Sequence, residues 1–180
     1  MTLANTVRVG FFAAIAVFAF VWATDIVESI DPFKIFKPQV LGWAGIAVGQ
    51  AAFNRIGGTE PGEGNLVSGN ARGGIAVGDA DGILVLGNRV GTDITGTRPL
   101  GNATGIGLEG NRRVIVGGAT PGERNLASGN GGGFEIQGDY HVVMGNWIGV
   151  DASGAEPLGN AGSGIGLNRA ENVIIQGNRI

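Results

Sequence analysis

Apolar positions follow two regimes along the 180-residue chain. From Val9 to Thr24 (VGFFAAIAVFAFVWAT) sixteen uncharged residues run unbroken between Arg8 and Asp25. From Gly45 onward, apolar residues alternate with small or polar ones in short bursts: GIAV at Gly45, GIAV at Gly74, GIGL at Gly105, GFEI at Gly133 and GIGL at Gly164. These bursts start 29, 31, 28 and 31 residues apart. Alternation with period two predicts a strand in each, and the spacing predicts a coil of about thirty residues. The inward positions form two predicted stacks, Ile46, Ile75, Ile106, Phe134, Ile165 and Val48, Val77, Leu108, Ile136, Leu167, neither broken by a charge.

The segments between strands repeat as well. GGTEPGEGNLVSGN at Gly57 to Asn70 returns as GGATPGERNLASGN at Gly117 to Asn130, with ten of fourteen positions identical. GNRVGTDITGTRPLGN at Gly87 to Asn102 returns as GNWIGVDASGAEPLGN at Gly145 to Asn160, with nine of sixteen identical. Two loop types thus alternate along one array. Asn70, Asn102, Asn130 and Asn160 each precede a strand, 32, 28 and 30 residues apart, which predicts an amide ladder bonding coil to coil. Asn54, Asn88, Asn146 and Asn178 suggest a second ladder, interrupted by Val114.

Coils whose strands bond to the coils above and below form a parallel β-helix, here about four to five coils and roughly 20 to 25 Å long. IGGTEPGEGNLVSGN, GNRVGTDITGTRPLGN and GIGL resemble the right-handed parallel β-helix repeats of bacterial cell-surface and secreted proteins, over residues 45–180. That resemblance implies an all-β solenoid. It does not imply an activity, because the fold hosts lyases, hydrolases, epimerases, adhesins and scaffolds alike.

The first regime reads as a membrane segment. With flanking Leu3, Val7, Ile26 and Val27 and a snorkelling Arg8, residues 1–27 are long enough for one tilted transmembrane helix. Phe11, Phe12, Phe18, Phe20 and Trp22 form its apolar body. A cleaved signal peptide is the alternative, since Val21-Trp22-Ala23 passes as a cleavage site. Residues 28–44 read as an interfacial linker, with Phe33, Phe36 and Trp43 at headgroup level and Lys34 and Lys37 reaching lipid phosphate. An anchored chain has the lipid bilayer as a partner. Lysine and arginine barely bias its orientation, and the resemblance places the array on the outer side of a cytoplasmic membrane.

Composition narrows the chemistry. A net charge of −3 without a basic cluster argues against nucleic acid. The absence of cysteine removes disulfides, thiol nucleophiles and thiolate metal sites. Asp79, Asp81, Glu109, Glu135 and Asp139 are the carboxylates available to a polysaccharide-cleaving groove, yet they match no known catalytic pattern. Asp93 and Asp151 recur in GTDITG and GVDASG, where an Asx turn explains them better than calcium. Glu63 and Glu123 read as turn architecture, and His141, the single histidine, as a surface or strand-end residue. No GxxxxGK[ST] phosphate loop is present. No cofactor, metal or catalytic residue is expected.

The outward positions of the strands are Ala47, Ala76, Gly107, Glu135 and Gly166, and Ala47, Ala76, Gly107 and Gly166 leave room for a closely packed partner. Ile83–Leu86, Val142–Met144 and Val173–Ile175 are apolar at every position, so one apolar row must point outward. The chain stops at GNRI, just before a loop of the second type is due, so further coils or a capping subunit are expected. These features favour a non-enzymatic, anchored accessory subunit docked on other membrane-protein subunits, for instance of a photosynthetic or respiratory complex. The alternatives are an anchored protein that binds or cleaves polysaccharide, with Tyr140 and Trp147 as the aromatics in range, or an adhesin.

Overall fold

The computed structural model describes residues 44–180. The expected transmembrane helix, with Phe11, Phe12, Phe18, Phe20 and Trp22, and the expected interfacial residues Phe33, Lys34, Phe36, Lys37 and Trp43 lie outside the described residues. Among those described, no helix is long and apolar enough to cross a membrane.

The chain winds into a parallel β-solenoid of five coils. The first sheet contains Ala44–Gly49, Gly73–Gly78, Thr104–Arg112, Gly132–Asp139 and Ile165–Glu171, in that order in space. The second contains Arg55–Gly57, Leu84–Leu86, Ile115–Gly117, Val142–Met144 and Ile174–Gln176. The third, of four short strands, contains Leu66–Val67, Arg89–Val90, Leu126–Ala127 and Trp147–Ile148. Among the described residues helical structure is confined to one 3-10 turn, Pro121–Glu123.

Register follows the alternation. Ile46, Ile75, Ile106, Phe134 and Ile165 stack across the first sheet, as do Val48, Val77, Leu108, Ile136 and Leu167. The second and third sheets add Ile56, Val85, Val116, Val143, Ile175 and Val67, Val90, Ala127, Ile148. These rows make one continuous core, which thins out in the last coil, where Leu167 and Ile175 are exposed. Burying like residues on like residues satisfies the backbone and the apolar side chains at once, because every coil is both roof and floor to a neighbour.

Two asparagine ladders tie the corners. Asn70, Asn102 and Asn130 each donate from Nδ2 to the Oδ1 of the next asparagine, at 2.8, 3.0 and 3.3 Å, ending at Asn160. The second ladder differs from the sequence expectation. It runs without interruption through Asn65, Asn88, Asn125, Asn146 and Asn178. Asn54 and Val114 belong instead to the corner between the first and second sheets, in a row with Ile83. The reason is the first loop type: residues 58–64 and 118–124 intervene between the second and third sheets, so in those coils the corner asparagine follows the loop rather than coming directly after the second-sheet strand. The second loop type, near 91–99 and 149–157, leaves between the third and first sheets.

Corner geometry also fixes glycine at Gly87 and Gly145. Both have φ of +68°, and an added Cβ would collide with the carbonyl oxygen of Gly58 or Gly118 on the adjacent coil. Here left-handed backbone and close approach act together.

Candidate docking surface

Among the described residues the solenoid presents three outer faces, and loops cover one of them. Over the third sheet the outward row is Leu66, Arg89, Leu126 and Trp147. The second-type loops fold back across it: Gly96 lies against Leu126 and Arg89, and Gly154 against the Trp147 ring. The loops join through Ala152 N–H donating to Gly96 O at 2.9 Å. Arg124 closes over the ring of Trp147, 4.1 Å from its centroid, and donates to Gly145 O at 3.2 Å. Trp147 is therefore packed rather than available as a sugar platform.

Each loop is closed by its own aspartate. Asp93 Oδ1 accepts from the Thr95 hydroxyl at 2.7 Å and from Thr97 N–H at 3.3 Å. Asp151 Oδ1 accepts from the Ser153 hydroxyl at 2.6 Å and from Ser153 N–H at 3.1 Å. These hydroxyl bonds, seconded by backbone N–H groups, hold both carboxyls below the ordinary range. Glu123 is lowered in the same way by the backbone N–H and hydroxyl of Thr120, and Glu63 accepts from Thr59 N–H at 3.0 Å. All four are turn fasteners.

The remaining carboxylates do not converge. Glu135 projects from the outward row of the first sheet and Glu109 pairs in register with Gly78. Asp79 occupies a left-handed bend. Asp81 is ion-paired with Arg113 at the corner between the first and second sheets, and Asp139 lies in register with Arg112. Among the described residues no three His, Asp or Glu side chains gather where they could hold a metal ion. A shallow groove between the two first-type loops is lined by Glu60, Arg89 and Arg124, but both guanidiniums already bond to backbone carbonyls.

No family model matches the chain, and neither a curated protein nor a solved structure matches it.

The outer face of the first sheet is unusual. Ala47, Ala76, Gly107, Glu135 and Gly166 stack in register, beside a second row of Gly49, Gly78 and Glu109. A Cβ added at Gly107 would meet nothing within 4 Å, and at Gly49, Gly78 and Gly166 only a carbonyl oxygen at 3.7, 4.0 and 3.8 Å. The fold's own packing therefore does not demand glycine here, in contrast with Gly87 and Gly145. On the second sheet Leu84, Ile115, Val142 and Ile174 form an outward aliphatic row. The first three are half-buried against one another and Ile174 is 53% exposed. Bare backbone and an aliphatic ridge thus lie side by side around one edge of the rod.

His141 is buried, not on the surface. It fills the corner slot occupied by Ile83 and Val114 in the preceding coils, and all three are 0% exposed. Its Nδ1 accepts from Val114 N–H at 3.1 Å and its Nε2–H donates to Gln137 O at 3.2 Å, so both nitrogens are satisfied in the neutral ring. Burial pushes its pKa below 6.5, with Gln137 and Asp139 partly opposing. A depressed histidine contributes stability that is complete above the unfolded value and is lost as pH falls through the folded one. We expect the Tm to decline as pH drops below about 6.5, and His141→Val to flatten that decline. The comparison runs from pH 6.5 down to about 5, the range in which an imidazole titrates. Parallel melting curves of both proteins across that interval would refute the assignment.

Proposed function

We propose that this chain is a non-enzymatic structural subunit, anchored by its N-terminal apolar segment, whose solenoid docks on other subunits of a membrane protein complex. In this reading the coils are right-handed, as nearly all parallel crossovers are. The array stands on the outer side of a bacterial cytoplasmic membrane, in keeping with the cell-surface proteins its repeats resemble.

The observation that carries the reading is the first sheet's outer face. A solvated strand gains from Thr, Val or aromatic residues, while glycine within a strand costs up to about 1 kcal/mol relative to alanine. Several glycines persist at Gly49, Gly78, Gly107 and Gly166, where a side chain would fit. Close approach of another surface supplies a reason the fold does not. The adjacent aliphatic row, Leu84, Ile115, Val142 and Ile174, would then be buried as well.

The test replaces Ala76 and Gly107 by arginine in the native host. The double variant is expected to keep its far-UV spectrum and to melt within a few degrees of wild type. After gentle detergent extraction it should migrate alone, whereas the wild type co-migrates with stoichiometric membrane subunits. Deleting residues 1–37 should release the array from the membrane. Co-migration of the arginine variant at wild-type stoichiometry, or a wild type that migrates alone, rejects the docking surface.

A further inference from the structure

The corner between the first and second sheets repeats one backbone conformation in all five coils. Phe53, Gly82, Arg113, Tyr140 and Asn172 each have φ between +51° and +63°. The N–H groups of Phe53, Gly82, Arg113 and Tyr140 donate to Asp81, Arg112, Asp139 and Glu171 on the next coil, so the five residues form one straight row along the solenoid axis. Glycine and asparagine suit this left-handed conformation; a bulky side chain is strained there, and such strain gathers at functional sites. Yet two of the five are aromatic, and packing does not repay them: Phe53 is 80% exposed and Tyr140 52%.

Each ring is supported on one side. The Phe53 ring lies on Gly82, where a Cβ would come within 2.8 Å of it. The Arg112 guanidinium backs the Tyr140 ring, 5.6 Å from its centroid. Between the two aromatics Arg113 is paired with Asp81 Oδ2, with side chains 59% and 35% exposed, while Asp81 Oδ1 is buried; the outer N–H groups of the guanidinium are left as surface donors. Phe53 and Tyr140 are three coils apart, roughly 14 Å at the usual strand spacing.

We propose that this corner is a binding platform for an extended neutral polysaccharide, with Phe53 and Tyr140 stacking on sugar rings and the Arg113–Asp81 pair hydrogen-bonding hydroxyls between them. Isolated rings separated by a charged pair offer no contiguous apolar area for a protein partner. They do suit pyranose rings, which present an apolar face and a polar rim. The rise per coil is close to the rise per residue of an extended β-linked glycan, so the chain would run along the rod with sugars over both rings. The platform lies on the corner between the bare face of the first sheet and the aliphatic row of the second, so a partner covering both faces would also cover it, and the titration is made on the chain freed of other subunits.

The test titrates the full chain in detergent with cellohexaose and with chitohexaose by calorimetry. One of the two is expected to bind. Phe53→Asn and Tyr140→Asn should each weaken that binding at least tenfold while melting at or above the wild-type temperature, because asparagine tolerates the left-handed backbone. If either variant fails to fold, Phe53→Leu and Tyr140→Leu decide, and Tyr140→Trp should retain affinity. No binding of either sugar by the wild type at millimolar concentration overturns the proposal. So does binding that survives in the Phe53→Asn, Tyr140→Asn double variant.

Discussion

Replacing Asn125 by alanine is expected to lower the unfolding free energy by about 2 to 4 kcal/mol, because buried backbone groups of the adjacent coil lose their side-chain partner. Asn125 is 0% exposed and stands at the centre of the second ladder. Its Oδ1 accepts from both the backbone N–H and the Nδ2 of Asn88, each at 3.0 Å. Its Nδ2 donates to Val85 O at 2.7 Å and to Asn146 Oδ1 at 2.9 Å. Alanine removes all four bonds: the Asn88 N–H and the Val85 carbonyl lose their side-chain partner, while Asn88 Nδ2 keeps Ile56 O and Leu86 O and Asn146 Oδ1 keeps the Asn125 N–H. Asn65, at the end of the same ladder and partly exposed, makes only the outgoing pair to Asn88 at 3.1 and 2.8 Å. Its alanine variant should lose about 1 kcal/mol. Urea unfolding followed by far-UV circular dichroism measures both. Equal losses at the two positions would mean that the ladder is decoration on a fold held by its apolar stack.

The two ladders show what the sequence discloses and what it conceals. The stacks through Ile75, Ile106 and Phe134 are legible because strand alternation has a fixed period and the coil length varies by only a few residues. The first ladder is legible because each of its asparagines sits three or four residues ahead of the glycine that opens a strand burst. The second is not, because its members enter by two routes: Asn88 and Asn146 directly after a strand, Asn65 and Asn125 after a seven-residue loop. Spacing alone therefore selects Asn54, which the extra loop places on a different corner. His141 is hidden for a related reason. Its slot is filled by isoleucine and valine in the two preceding coils, and the coincidence of Nδ1 with Val114 N–H and of Nε2 with Gln137 O makes imidazole acceptable there.

Phe53 is the functional candidate that sequence reasoning misses. In isolation it reads as an apolar residue beside Ala51 and Ala52, hence as core. The available signal is the column it shares with Gly82, Arg113, Tyr140 and Asn172: glycine and asparagine at equivalent positions mark a left-handed corner, which a core phenylalanine would not be expected to occupy. The openness around Gly107 has no sequence signature, because a glycine forced by crowding and one surrounded by space are the same letter.

Phe134→Ala should be the most damaging substitution within the apolar stack, with a loss of about 3 to 5 kcal/mol. The ring is 1% exposed and lies between Ile106 and Ile165 in the five-membered row of the first sheet. Deleting a large buried side chain costs its transfer free energy plus that of whatever cavity remains, and the second part depends on how far the site can collapse. Here collapse is opposed from every side. The coils above and below are held at strand spacing by backbone hydrogen bonds such as Phe134 N–H to Gly164 O at 2.8 Å. At the neighbouring Gly133 there is no room even for a Cβ, which would collide with the Gly164 carbonyl and Ile148. Because the void cannot close without breaking the ladder, the loss belongs in the upper half of that range. Phe134→Ile, which restores the residue type at Ile75, Ile106 and Ile165, should cost less than about 1.5 kcal/mol. Leu167→Ala in the last coil, where the side chain is 51% exposed, should cost no more than about 1 kcal/mol, since little of it is withdrawn from water. Urea denaturation of the three variants orders them. A Phe134→Ala protein no less stable than Leu167→Ala would mean that the coils can approach each other freely, contrary to a lattice fixed by backbone bonds.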